Sequence, residues 1–433
     1  MPAELPGFYW DEARNRYFPL SSKPEALTLA KPPFSLPLVK FWAQGNDRPT
    51  RHLRCKRRND LWNITEISRT SGYPRRNYQT SHEILSSHYA RTSFAVQVHI
   101  PTFGRIKVFC SAILNGRVRS FIGDSRGWLY SSSFPQTVTP SDASMWGVDI
   151  NLHPESEISS ICVSGSRCVA TCFGPSAKIS IQDLNTTGRM SLLSLGGVHD
   201  IWTAHLQDDD LVLGANKKAI LMSGIDNSHS FQYLDTYSDV FAVFQKDHLI
   251  YTGTRNGSII RFDKRMGKTQ GQNIFGDRFA SRQRTSVLHL QTTEDSQLLV
   301  SHLNGNLQAF DLRYPRQSRP ITKYPGHVNT HTQRLGIALD PNQEFLFAAG
   351  EDRRIRGWSV KTGAPLLPPV PVEPISGQKS GAQSGHPGDH NNPFLATFTR
   401  PVETMQVVEE RGVAHLWAAC DETLYQFRLG QQI

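Results

Sequence analysis

The chain has 433 residues, 38% of them hydrophobic, with a mean hydropathy of -0.41, a net charge of +9 and a pI near 9.3. It holds no run of ~18 apolar residues, which excludes a membrane-spanning helix, and it lacks a basic start followed by an apolar stretch, which argues against a signal peptide. Six cysteines are scattered with no C-x-x-C pair, so they read as reduced, mostly buried thiols of a nuclear and/or cytoplasmic protein that is not secreted.

The segment ELPGFYWDEARNRYFPL, residues 4–20, holds an aromatic motif at 5–20 that crowds aromatic side chains among charges. Phe8–Asp11 and residues 16–20 have strand character, with EARN turning between them. An aromatic hairpin of this size is marginal alone and should rest on something. A basic stretch follows at 48–58, RPTRHLRCKRR, which suits a solvated linker, nuclear import or nucleic-acid contact. Residues 58–90 contain two short apolar-periodic stretches. Leu61, Ile64 and Ile67 form the first. Ile84, Leu85, His88 and Tyr89 form the second, after a cap at Thr80 or Ser81. With SGYPRRNYQ as the joining loop, they read as a helix–loop–helix closing an extension over residues 1–93.

From residue 94 to 433 one pattern recurs. An alternating apolar strand is followed by a polar turn, a second strand ending in small residues, a tight turn and a third strand. The clearest copies are 239–265, DVFAVFQKDHLIYTGTRNGSIIRFDKR, and 286–313, SVLHLQTTEDSQLLVSHLNGNLQAFDLR. Their Asn-Gly turns supply the positive φ that tight hairpins need. Small residues at Gly123, Gly174, Gly214, Gly253, Ser301, Gly350 and Cys420 mark seven units. The last step is lengthened by a Pro/Gly/Ser/His-rich insert at about 362–393, expected to be a flexible loop. Repeats of ~40–45 residues with four strands resemble WD40 repeats. That resemblance implies an all-β fold, a seven-bladed WD40-type propeller, with an irregular, partly helical N-terminal extension. Ring closure asks for an outer strand from the other chain end, and FAVQVHI, residues 94–100, has the right alternation. The copies are degenerate: one Gly-His (Gly326-His327), and Phe262-Asp263, Phe310-Asp311 and Trp358-Ser359 where the repeats carry Trp-Asp.

No phosphate loop, zincin motif or dinucleotide loop occurs in the sequence. His327 and His331 lead into a strand, and His386, Asp389 and His390 fall in the insert. Cys168 and Cys172, at even spacing on a strand, read as core. No cofactor, metal or catalytic residue is expected, and the chain reads as a binding protein. The sharpest candidate is the paired Phe-Asp-x-Arg ends, Asp263 with Arg265 and Asp311 with Arg313. Strand alternation would put each Asp beside its Arg, and two oriented guanidinium groups can engage carboxylates or carbonyls of a partner. Asp-x-Arg ends also merely tie blades together in many WD repeats.

Such paired ends resemble those of substrate receptors of cullin-4 RING ubiquitin ligases. The opening signature Gly7, Phe8, Tyr9, Asp11, Asn15, Arg16, Tyr17 and Phe18 resembles that of the DDB- and cullin-4-associated factor 4 (WD repeat protein 21) family, as do YPGHVNTH and AAGEDRRIRGWSV. The resemblance implies a non-catalytic subunit. Its arginines would contact the damaged-DNA-binding-protein adaptor, with the helical segment as a second anchor, while another face presents an unknown protein substrate. A basic WD40 scaffold for RNA or chromatin-associated partners is the alternative, favoured by the net charge and residues 48–58; no membrane partner is expected.

Overall fold

In the computed structural model, the described residues are 8–11, 16–19 and 74–431, apart from 115, 134–145, 187, 227–229, 268–269, 276–284, 294–295, 317–318, 369–390 and 411. The basic stretch 48–58, the first expected helix and most of the insert lie outside them. The chain divides into two compact units, Met1–Ile64 and Thr65–Ile433.

In the first unit, Phe8–Asp11 pairs antiparallel with Arg16–Pro19. The register sets Tyr9 opposite Phe18 and Trp10 opposite Tyr17, so the hairpin expected from the aromatic spacing forms at the backbone level.

The second unit is a seven-bladed β-propeller. Blade 1 comprises Ile106–Leu114, Arg117–Asp124, Trp128–Ser133 and Trp146–Asn151, and blade 2 Ile158–Ser164, Arg167–Cys172, Lys178–Asp183 and Met190–Ser194. Blade 3 holds Thr203–Gln207, Asp210–Ala215, Lys218–Ser223 and Ser230–Asp235. Blade 4 holds Val240–Lys246, Leu249–Thr254, Ile259–Asp263 and Gln272–Ile274; blade 5 holds Val287–Thr292, Gln297–His302, Leu307–Asp311 and Thr322–Lys323. Blade 6 has three strands, Ile337–Leu339, Phe345–Ala349 and Ile355–Ser359, its fourth reduced to a bridge between Trp358 and Pro365. Blade 7 joins Thr404–Glu410, Val413–Cys420 and Thr423–Arg428 to Ala95–His99, the closing strand expected from its alternation.

The core is a series of apolar layers between blades. Second strands such as Asp210–Ala215 and Leu249–Thr254 are buried almost throughout, because both faces of a blade meet a neighbour. The small position of each second strand has a steric cause. A Cβ on Gly123 would overlap Ile158, one on Gly253 would overlap Val287, and one on Gly214 would lie 2.7 Å from the Val240 carbonyl. Each obstacle is the first residue of the next blade. The register corrects the sequence alignment here. Opposite the matching first-strand residues stand Thr171, Ala348 and Ala419, not Gly174, Gly350 and Cys420. Small size suffices there, and Gly174 instead serves a turn at φ 111°. Cys168 and Cys172 are buried in one layer, as their spacing predicts.

A helix, α1 (Pro74–Ala90), leads into the closing strand. It begins within the stretch expected to be a loop, because proline is well suited to a helix's first position. Leu85, Tyr89 and Ala90 join the core layer with Phe345 and Phe427. His82 stacks on Phe345, with ring centroids 4.9 Å apart, and hydrogen-bonds Ser359 Oγ at 2.8 Å. Positions 82, 85 and 89 share one helical face, and that face is spent on the propeller.

Candidate functional site

Within a blade, first and third strands run the same way. First-strand starts and third-strand ends therefore lie on opposite rims of the ring. The third strands of blades 4, 5 and 6 end at Asp263, Asp311 and Ser359, so the positions two residues on, Arg265, Arg313 and Lys361, share one rim.

Asp263 and Arg265 form a closed clamp. Asp263 Oδ1 accepts from the Arg265 backbone N–H and from Nε, both at 3.0 Å, and Oδ2 accepts from Nη2 at 2.7 Å. Blade 5 repeats it: Asp311 Oδ1 accepts from Arg313 N and Nε, both at 2.9 Å, and Oδ2 from Nη2 at 2.6 Å. Alternation predicted the pairing but not its cause. Arg265 sits past the strand, in a 3-10 turn over Lys264–Met266 that Asp263 caps. The guanidinium beside Asp263 lowers its carboxyl pKa to about 2, and Arg313 lowers that of Asp311. The arginine side chains stay 65% and 67% exposed. A fixed, charged and solvent-facing fork is what bidentate recognition needs.

Sequence reasoning missed two neighbours. Met266 and Tyr314, each the residue after the arginine, are both 58% exposed. Each clamp is thus followed in the chain by an exposed large side chain, and arginine and tyrosine are among the residues enriched at interface hot spots. In blade 6 the carboxylate is replaced by Ser359, and α1 docks there through His82. The helix therefore sits on the rim that carries the two clamps.

The remaining candidates separate. His327 is buried, its ring nitrogens each 3.1 Å from a carbonyl, of Gly305 and Ala349. His331 is exposed and pairs with Glu351 at 2.7 Å. Among the described residues no group of three or more His, Cys, Asp or Glu could hold a metal ion, and no helix is long and apolar enough to cross a membrane.

The opposite rim opens on the central channel, with a cavity of about 250 Å³. A β-bulge recurs there in the first strands of blades 1, 2, 4 and 5, making Lys107, Ser159, Phe241 and Leu288 the extra residues. All four line the cavity. Phe173, Trp202 and Phe241 form an aromatic chain with centroid spacings of 4.5 and 4.9 Å.

The comparisons agree with this architecture. The WD40 β-propeller domain of Doa1 superposes with a TM-score of 0.52 at 15% identity, covering 78% of this chain and 96% of that one. The fold is a WD40-type propeller. No protein-family model matches the chain. An uncharacterised WD repeat-containing protein of Caenorhabditis elegans is 31% identical over 116 residues, 27% of this chain and 20% of its own length. WD repeat-containing protein 21 of Schizosaccharomyces pombe is 28% identical over 141 residues, 31% of this chain and 32% of its own. The matched segments thus span a fifth and about a third of these two relatives.

Proposed function

We propose that this WD40 propeller is a substrate receptor of a cullin-4 RING ubiquitin ligase, docking on the damaged-DNA-binding-protein adaptor through Arg265 and Arg313. The observation that carries the reading is the repeated Asp–Arg clamp on consecutive blades, each followed by an exposed large side chain. The position of α1 on the same rim supports it by extending that surface. The likeness to WD repeat-containing protein 21 of fission yeast is in keeping with it. The receptor itself breaks no bond. It raises the concentration of a substrate lysine near the charged ubiquitin carrier, and the rate gain comes from proximity.

The test is recovery of purified adaptor by wild type and by the Arg265→Ala/Arg313→Ala double variant. Hot-spot arginines predict an affinity loss of at least about 30-fold per truncation. Equal recovery by both proteins rejects the contact. Absence of adaptor with wild type rejects the receptor reading, and capture of RNA with a steep salt dependence in its place favours a nucleic-acid scaffold.

A further inference from the structure

The channel mouth carries a set of groups that the rim clamps do not use. Lys107 Nζ lies 3.1 Å from Glu157 and 2.6 Å from Glu403, so one ammonium occupies both carboxylates. Arg334 lies beside them, yet among the described residues its hydrogen bonds go to neutral carbonyls, those of Ile158 and Trp202 at 3.4 Å and that of Ser159. A guanidinium taken from water without a direct carboxylate partner is costly. Its neighbour Trp202 has an indole N–H that is buried with no acceptor, which is also uncommon. Both residues line one cavity, where the guanidinium reaches the Trp202 backbone carbonyl, and among the described residues neither donor has a direct carboxylate acceptor.

The walls state what accompanies that acceptor. Phe241 and Leu288 reach the mouth because bulges displace them from the ladder, and bulges commonly re-aim side chains at functional sites. With Phe173 and Trp202 they make one side apolar. The 250 Å³ volume is below the ~300–1,000 Å³ of small-molecule pockets and fits one or two side chains.

We propose that the channel mouth binds an extended protein segment through one Asp or Glu side chain, held by the Trp202 indole N–H and Arg334, with an apolar neighbour of that residue against Phe241 and Leu288. Recognition is acidic-plus-apolar, and amide twins of the acid are discriminated against because they leave the guanidinium unpaired. The inference stands on the mouth alone and does not depend on what the opposite rim binds.

The experiment presents the full chain to an array of ten-residue peptides in which every Asp- or Glu-containing sequence is paired with its Asn or Gln twin. Wild type should capture acidic members beside apolar residues, about 10-fold or more over their twins. Arg334→Gln should bring that ratio below about 2-fold, and Trp202→Phe, which keeps the ring and removes the N–H, should lower it several-fold. Arg334 also braces the channel, so Trp202→Phe decides if Arg334→Gln does not fold. Arg265→Ala/Arg313→Ala should leave the ratio unchanged, which keeps failure of this site distinct from failure of the adaptor contact. Equal capture of acids and amides by wild type, no capture at all, or an unchanged ratio in folded Trp202→Phe overturns the proposal.

Discussion

Each arginine clamp is a small device whose value lies in direction. The Asp263–Arg265 pair has its guanidinium largely in solvent and contributes little to folding, but the carboxylate holds Nε and Nη2 and so fixes where the guanidinium points. Asp263→Asn and Asp311→Asn should therefore leave the thermal midpoint nearly unchanged while weakening adaptor recovery, checked by pairing a melt with a pull-down. Buried histidines act the other way. Burial lowers the pKa of His205, His289 and His415 to about 4. The His415 Nδ1 meets the Gln426 amide at 3.0 Å. An open chain holds histidine near ~6.5, so it binds more protons between pH 6.5 and 4 than the fold does. Stability is full above pH ~6.5 and is lost as pH falls toward 4, by about 1–3 kcal/mol for each well-buried ring. Melting curves from pH 7.5 to 4.5 check this, and His415→Gln should flatten the slope. The Asp-x-Arg pairs were legible because they span three consecutive residues. The mouth was not, since Lys107, Trp202 and Arg334 meet only through ring closure.

The blade is an element whose spacing depends on a missing side chain. Gly253→Ala forces a methyl into Val287 across the blade boundary and should cost about 1–3 kcal/mol. Gly196→Ala meets nothing within 4 Å and should fall within about ±0.5 kcal/mol. Equal melting shifts for the two would show that blade contact is not the cause. Alternation and Asn-Gly turns made the inner three strands readable. Outer strands were not, because Met190–Ser194 is exposed on both faces and carries no apolar period. Helix α1 was mis-started because Pro74 and the preceding Ser-Gly pair read as a loop, although a first-turn proline lacks only a donor the helix does not use.

At the scale of the whole molecule the ring depends on one non-local seam. Val98 is 1% exposed and pairs with Leu424. Val98→Asp buries a charge in that seam and should cost about 3 kcal/mol or more, seen as a lower midpoint and a broadened transition in circular dichroism. Seven units and the closing strand followed from the sequence because repetition multiplies a weak local signal; the four bulges did not, because they are defects of pairing rather than of composition. The seam also sets a clock. The closing strand leaves the ribosome roughly 330 residues before its partner Thr423–Arg428, and at ~5–20 residues per second that interval lasts about 15–65 s. Throughout it, the Val96 and Val98 edge has no mate. Synthesis rate, as well as sequence, thus governs how long the nascent chain offers an adhesive edge to its neighbours on the polysome.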